Sequence, residues 1–189
     1  MTSILKVDEI QNTDGKTGIV ITPDGTVTVP SVKFPEITGG NPSRVITNTK
    51  MSSYEEGTWI PRLLIGASST GITYSLQAGN YVKVGRAVTI IYRIILSNKS
   101  TRSGNINVNG LPFAASDVDL YPTVMGLWHN VNLPSVSGGP QVTPLGQLAK
   151  NSDAIDFYYC NASSPSPFNQ SVLTNASVLN GTCTYLTDE

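Results

Sequence analysis

The sequence predicts an all-β protein, with a short N-terminal β-hairpin segment followed by a C-terminal β-sandwich-like domain, and three observations carry that expectation. Charged residues make up 13% of the 189-residue chain, about half the roughly 25% usual for soluble domains. That leaves too few Lys and Glu to solvate the outer faces of long amphipathic helices. Thr, Ser, Asn, Val, Gly and Pro are abundant instead, β-branched residues packing well on a pleated surface while Gly, Pro and Asn make its reversals. Short apolar or alternating runs separated by turn signals recur along the chain, the pattern of a sandwich or related barrel.

Taken in order, Ile4–Ile10 reads as a short strand, and Gly18–Thr22 and Thr26–Pro30 flank Pro23-Asp24-Gly25. Pro presets φ for a type I turn and Gly takes the left-handed position that follows, so the two runs should form a hairpin. A hairpin and one more strand bury too little apolar surface to stand alone. The apolar faces Ile19/Ile21 and Val27/Val29 are therefore expected to be completed by other copies of the chain around an axis, which makes residues 1–40 an attachment and trimerisation segment. Pro35, Gly39-Gly40 and Pro42 break any long element ahead of a linker, residues 41–56.

Residues 57–189 form the C-terminal domain. Strands are expected at Thr58–Ile65, Gly71–Leu76, Gly79–Val84, Ala87–Leu96, Gly104–Val108, Thr123–Asn130, Gln147–Ala149, Ala154–Tyr159, Ser171–Leu173 and Gly181–Leu186. Ala87–Leu96 is nearly continuous in apolar and β-branched residues, so it should be central and buried on both faces. No period of 20–50 residues emerges, which argues against the stacked rungs of a long β-helix.

Composition also excludes. With a net charge of −1 and scattered Lys and Arg, the chain lacks the basic surface that neutralises phosphates, so no nucleic-acid partner is expected. The opening Met1-Thr-Ser-Ile-Leu-Lys6 has no apolar run after a basic start, and no stretch approaches the roughly 20 apolar residues of a membrane span. Synthesis in a cytoplasm, without membrane insertion, is the expectation. In that reducing setting Cys160 and Cys183 are expected as buried thiols; a bridge would require Phe157–Asn161 to pair with Thr182–Leu186.

His129 is the sole histidine, which leaves no multi-histidine metal site, and no Gly-x-Ser-x-Gly elbow offers a nucleophile. Neither a cofactor nor catalysis is expected. Glu55 and Glu56 are adjacent, so in an extended chain they point to opposite sides and cannot act as an acid and base pair; solvent, or Lys or Arg across a subunit seam, should meet them. Asp117, Asp119, Asp153 and Asp156 are the acids to inspect for a hydrolytic pair, which needs carboxyl groups about 5–9.5 Å apart.

Three motifs stand out in order: Tyr54-Glu55-Glu56-Gly57-Thr58-Trp59-Ile60-Pro61, then Gly79, Tyr81, Lys83 and Gly85 at alternate positions, then Gly110-Leu111-Pro112-Phe113. Together with the closing Gly181-Thr182-Cys183-Thr184-Tyr185, this run resembles the C-terminal domain of phage tail-fibre, receptor-binding-type virion proteins. Met51-Ser52-Ser53 departs from the Leu-Asp-Asp lead-in usual there. Leu5–Thr13 and Ile21–Val27 are similar to the start of fibres from marine and cyanobacterial phages. The resemblance touches about a third of the residues. It implies a homotrimeric fibre in the virion, held to a tail or baseplate protein by its N-terminal segment and presenting the β domain to a host surface glycan. A capsid head fibre or decoration protein is the alternative, and a polysaccharide-degrading tailspike a more remote one.

Trp59, Tyr81 and Phe113 are expected to be core anchors. Sugar-binding surfaces combine an exposed aromatic ring with fixed hydrogen-bonding groups. Three loop regions have that mixture, Asn98–Asn105 with Arg102, Asp119–Tyr121, and Asn161–Asn169 with Phe168, and Trp128-His129-Asn130 ends a strand beside a loop. Asn98, Arg102, Asp119, Tyr121, Trp128, His129 and Phe168 are the receptor-contact candidates, and the sequence does not choose among the regions.

Overall fold

In the computed structural model, which describes residues 53–135, 142–160 and 164–189 and the strand segments 9–11, 17–21, 27–28, 32–33 and 50–51, the strands flanking Pro23-Asp24-Gly25 pair with each other. The chain divides into two units, Met1–Tyr54 and Glu55–Glu189. In the first, β1 (Glu9–Gln11), β2 (Thr17–Ile21) and β3 (Val27–Thr28) make a three-stranded antiparallel sheet, Ile21 standing opposite Val27. A second pairing joins β4 (Val32–Lys33) to β5 (Lys50–Met51). The turn itself, the strand expected over Ile4–Asp8 and most of the linker lie outside the described residues.

The second unit holds β6 (Tyr54–Trp59), β7 (Arg62–Ile65), β8 (Thr73–Val84), β9 (Ala87–Asn98), β10 (Ile106–Asn109), β11 (Thr123–His129), β12 (Leu145–Leu148), β13 (Ala154–Cys160), β14 (Pro165–Pro167) and β15 (Val178–Leu186). They form one ten-stranded sheet in the order β6-β8-β9-β15-β11-β12-β13-β10-β7, with β14 pairing the last residues of β13 on the edge that its first residues give to β10. Strands β6 and β7 occupy opposite ends of that order, yet only Ile60 and Pro61 separate them. Three residues of chain span at most about 11 Å, so the two edges must meet. The sheet is rolled on itself, and the stretch Tyr54–Ile65 stitches its edges together, pairing with β8 in its first half and β10 in its second. Pro61, which has no N–H to give to a ladder, sits at the switch. The single strand expected over Thr58–Ile65 is thus two.

Other expectations shift for local reasons. Gly71–Leu76 and Gly79–Val84 merge into β8, whose register slips near Tyr74. Ser171–Leu173 is instead a 3₁₀ turn, Gln170–Val172, because Asn169 accepts from the Ser171 N–H at 2.9 Å and caps it. Pro165–Pro167 pairs as an edge strand that its prolines concealed, since Pro is tolerated at edges. The expectation of two buried faces for Ala87–Leu96 is corrected. This strand is central, between β8 and β15, but it alternates: Val88, Ile90, Tyr92, Ile94 and Leu96 are buried while Thr89, Ile91 and Arg93 are exposed. Only the concave side of a rolled sheet has a layer facing it.

The three motifs turn out to be one packing unit. Gly79 stands beside Tyr92, Tyr92 beside Gly181, and Gly181 beside Gly126, in a row across four strands. Trp59 fills the space over Gly79 and meets Tyr92 edge-on, ring centroids 5.8 Å apart. Tyr81 lies over Gly57, donates its hydroxyl proton to the Glu55 carboxylate, and packs edge-on against Phe113 at 5.5 Å. The Lys83 ammonium stands 4.7 Å from the Phe113 ring centre, and the Tyr185 hydroxyl donates to the Phe113 carbonyl at 2.9 Å. Gly85, with φ +58, makes the β8–β9 turn. Trp59, Tyr81 and Phe113 are packing residues, as expected, and Glu55 finds its partner within its own chain.

Cys183 is a free, buried thiol on β15. Strand β13 pairs with β10, β12 and β14 while β15 pairs with β9 and β11, so the alignment a Cys160–Cys183 bridge required is absent.

Candidate functional site

Antiparallel register sorts the described strand ends of the second unit onto two ends of the rolled sheet. The β8–β9 turn, the end of β15 and the start of β11 share one end. The chain also enters there, because Glu55 and Gly57 lie against Tyr81 while Trp59 lies over Gly79, so β6 starts beside the last residues of β8. The end of β9, the start of β15, the end of β11 and the start of β10 form the opposite end.

At the entry end, residues 115–122 and the strand ends around Lys150 and Thr184 enclose a groove of about 540 Å³. Its rim is stapled to the C-terminal residues. Ser116 donates its N–H to the Leu186 carbonyl at 2.8 Å, Asp117 its N–H to the Asp188 carboxylate at 2.9 Å, and Arg86 donates to both the Thr187 carbonyl and Asp188. The Asp117 N–H and the Arg86 guanidinium hold the Asp188 carboxyl below its ordinary range. In the groove Tyr121 is 52% exposed and Leu120 64%, and Lys150 pairs with Asp119 at 3.3 Å and Asp117 at 3.7 Å. Asp117 also accepts from the Asn151 amide at 2.9 Å. The two carboxylates thus share one ammonium.

At the opposite end, two of the loop regions singled out in the sequence meet. Asn105 bridges to Asn169, the Gln170 side chain accepts from the Gly104 N–H at 2.8 Å, and Lys99 donates its N–H to Asn175 at 3.0 Å. Asn98 accepts from the Ser100 N–H at 2.8 Å, and Arg102 donates to the Ile65 carbonyl at 3.3 Å. His129 joins the same end, because the next residue, Asn130, with φ +54, donates to the Ala176 carbonyl and accepts from Thr174 and Ser177. The outcome is an exposed surface of Thr101, Arg102, Ser103, Asn105, His129, Asn130, Asn169 and Ser171 on a hydrogen-bonded loop frame. Amides, hydroxyls and one guanidinium held this way can read the hydroxyl pattern of a sugar.

Two candidates leave the contact set. Trp128 is 6% exposed and Phe168 1%, and both are core: their ring centroids are 5.6 Å apart, and Trp128 also packs edge-on against Phe157 at 4.9 Å. Buried rings have no face to offer a receptor. The remaining five divide, Asn98, Arg102 and His129 at the loop end and Asp119 and Tyr121 at the entry end. Asn105 and Asn169 lie in regions the sequence singled out and Asn130 ends the strand of His129, but that these stretches meet escaped the sequence reading, because only the closed topology brings them together. Among the described residues no three of His, Cys, Asp and Glu gather as a metal site, and no helix is long and apolar enough to cross a membrane.

The fold defines the second unit as a rolled antiparallel β unit joined to an N-terminal β segment. No protein-family model matches the chain, and no curated protein matches it by sequence. Among solved structures it is similar to the crystal structure of the Dettilon tailspike protein (gp208), with a TM-score of 0.55 and 24% identity over 70% of this chain. The match spans 23% of the tailspike chain, a likeness of fold.

Proposed function

We propose that the chain is a structural virion protein: a homotrimeric phage tail fibre whose C-terminal β unit adheres to the host surface, through saccharide, by its loop end. The observation that carries this reading is the gathering of exposed amide, hydroxyl and guanidinium groups at the loop end of the second unit, on a frame of loop-to-loop hydrogen bonds. Residues 1–40 attach the chain to a tail or baseplate protein. The likeness to a tailspike fold and the order of the three motifs support the same reading.

The activity is binding without covalent chemistry. Asp117 and Asp119 share Lys150, an arrangement suited to holding a groove in shape rather than to hydrolysis across a glycosidic bond. Each single contact with a host glycan is weak, and several copies on one particle strengthen it by raising the effective concentration of the next contact.

The test compares particles with and without the protein for adsorption to host cells, and purified chain for binding to those cells before and after periodate cleavage of surface glycans. Loss of adsorption and periodate-sensitive binding are the expected results. Unchanged adsorption with altered capsid durability would move the protein to the head-fibre alternative, and release of reducing sugar ends from host polysaccharide would make it an enzyme.

A further inference from the structure

The two ends of the second unit differ in charge as well as in shape. The segments that turn at the loop end, residues 66–72, 99–105, 130–144 and 161–177, contain Lys99 and Arg102 and not one Asp or Glu. All eight acids of residues 55–189 lie outside them, with Glu55, Asp117, Asp119 and Asp188 at the entry end. Seven Lys and Arg against those eight acids leave residues 55–189 near neutrality, so the imbalance is one of placement. Distance preserves it. Strand β9 runs from one end to the other, and its twelve residues cover on the order of 40 Å, several times the Debye length of about 8 Å at physiological salt. Carboxylates at the entry end do not neutralise cations at the loop end.

Nor are those cations neutralised locally. At the entry end Arg86 pairs with Asp188, and Lys150 with Asp117 and Asp119. Lys99 and Arg102 are held by main-chain carbonyls instead: the Lys99 ammonium donates to Gln170 and the Arg102 Nε–H to Ile65, each at 3.3 Å. Such bonds fix a cation without cancelling its charge. Gln170 also accepts from the Gly104 N–H at 2.8 Å and donates its own N–H to the Gly104 carbonyl at 3.1 Å. The residue that anchors Lys99 is thereby tied to the loop that carries Arg102.

We propose that the loop end binds an acidic saccharide, its carboxylate or phosphate group held by Arg102 and Lys99 and its neighbouring hydroxyls by Ser103, Asn105 and Asn169. An exposed guanidinium held through Nε keeps its terminal amino groups as a fork for an anion, and an ammonium adds a point charge that accepts either anion geometry. A neutral sugar would gain the hydrogen bonds alone. Two cations are too few for nucleic acid, whose binding depends on neutralising many phosphates.

The inference rests on the attachment reading above and adds the charge of the ligand to it. The test uses the full chain and surface glycan extracted from host cells. Raising NaCl from about 50 to about 500 mM should weaken binding about fivefold or more, as screening of exposed charges requires. Carbodiimide and borohydride convert the carboxyl groups of the glycan to alcohols, and hydrofluoric acid removes its phosphates. One of these treatments should lower binding about tenfold or more, and which one does so identifies the anion. Arg102→Gln should weaken binding to the untreated glycan by a similar factor and Lys99→Gln about fivefold, whereas Arg93→Gln, which removes the same charge from the exposed face of β9, should leave it within about twofold. Near-ultraviolet dichroism of Trp59 and Trp128 reports folding, and the salt and glycan arms need no variant. Binding indifferent to salt and to both treatments, or weakened as much by Arg93→Gln as by Arg102→Gln, would overturn this inference and leave the attachment reading standing. Absence of binding to the untreated glycan would remove both.

Discussion

The indole of Trp59 occupies the place where Gly79 has no side chain: a β-carbon at Gly79 would lie 2.5 Å from Trp59 Nε1. The two residues belong to different motifs, and their fit explains why an aromatic residue on β6 accompanies a glycine on β8. A strand glycine commonly marks the close approach of another group, and here the approaching ring seals the seam where the rolled sheet closes.

Gly79→Ala should therefore be destabilising by about 1–3 kcal/mol, the cost of forcing extra atoms into a packed core, although alanine has the better strand propensity. Trp59→Ala removes a buried aromatic and should cost about 3–5 kcal/mol. The double variant should cost less than the sum, because alanine at 79 no longer meets the ring. Denaturant unfolding of the four proteins measures this; additive losses would contradict the contact.

Acid should loosen the C-terminal staple. The Asp188 carboxyl titrates below its ordinary value of 3.8 in the folded chain, chiefly through the Asp117 N–H and then Arg86. A group with a depressed folded value contributes stability above its unfolded value, and that contribution disappears as pH falls through the folded value. Melting temperatures of the parent and of Asp188→Asn should differ above pH 5 and converge as pH drops below 3.8. A difference that persists at pH 2 would mean the staple does not depend on charge.

Burial pushes the Cys183 thiol up to about 11, and the thiolate is the reactive form. In a Cys160→Ser background at pH 8, Cys183 should react with a disulfide reagent only on unfolding, the rate rising with denaturant in step with loss of structure. Prompt reaction in the native protein would place the thiol at the surface.

Much of this was legible from residue order. The central place of β9, the Pro-Asp-Gly hairpin and the aromatic anchors follow from apolar run length and turn chemistry, since those signals are local. What escaped depends on closure. Nothing local distinguishes a strand buried on both faces from one lining a rolled sheet, so Ile91 read as core. The candidates Trp128 and Phe168 read as surface because a strand end and an Asn- and Ser-rich loop surround them, yet the roll turns both inward. Asn105 and Asn169 lie 64 positions apart, and only the pairing of β10 with β13 and the 3₁₀ turn brings them together.

The central claim, that the loop end of the second unit and not its groove end meets the host, is tested most directly by substituting each end in the full chain and measuring binding to host cells. Arg102→Ala, Asn105→Ala and His129→Ala combined should weaken binding by about tenfold or more, as loss of fixed polar contacts does. Tyr121→Ala should leave it within about twofold. Binding that survives the loop-end substitutions and fails with Tyr121→Ala would reverse the orientation and contradict the account.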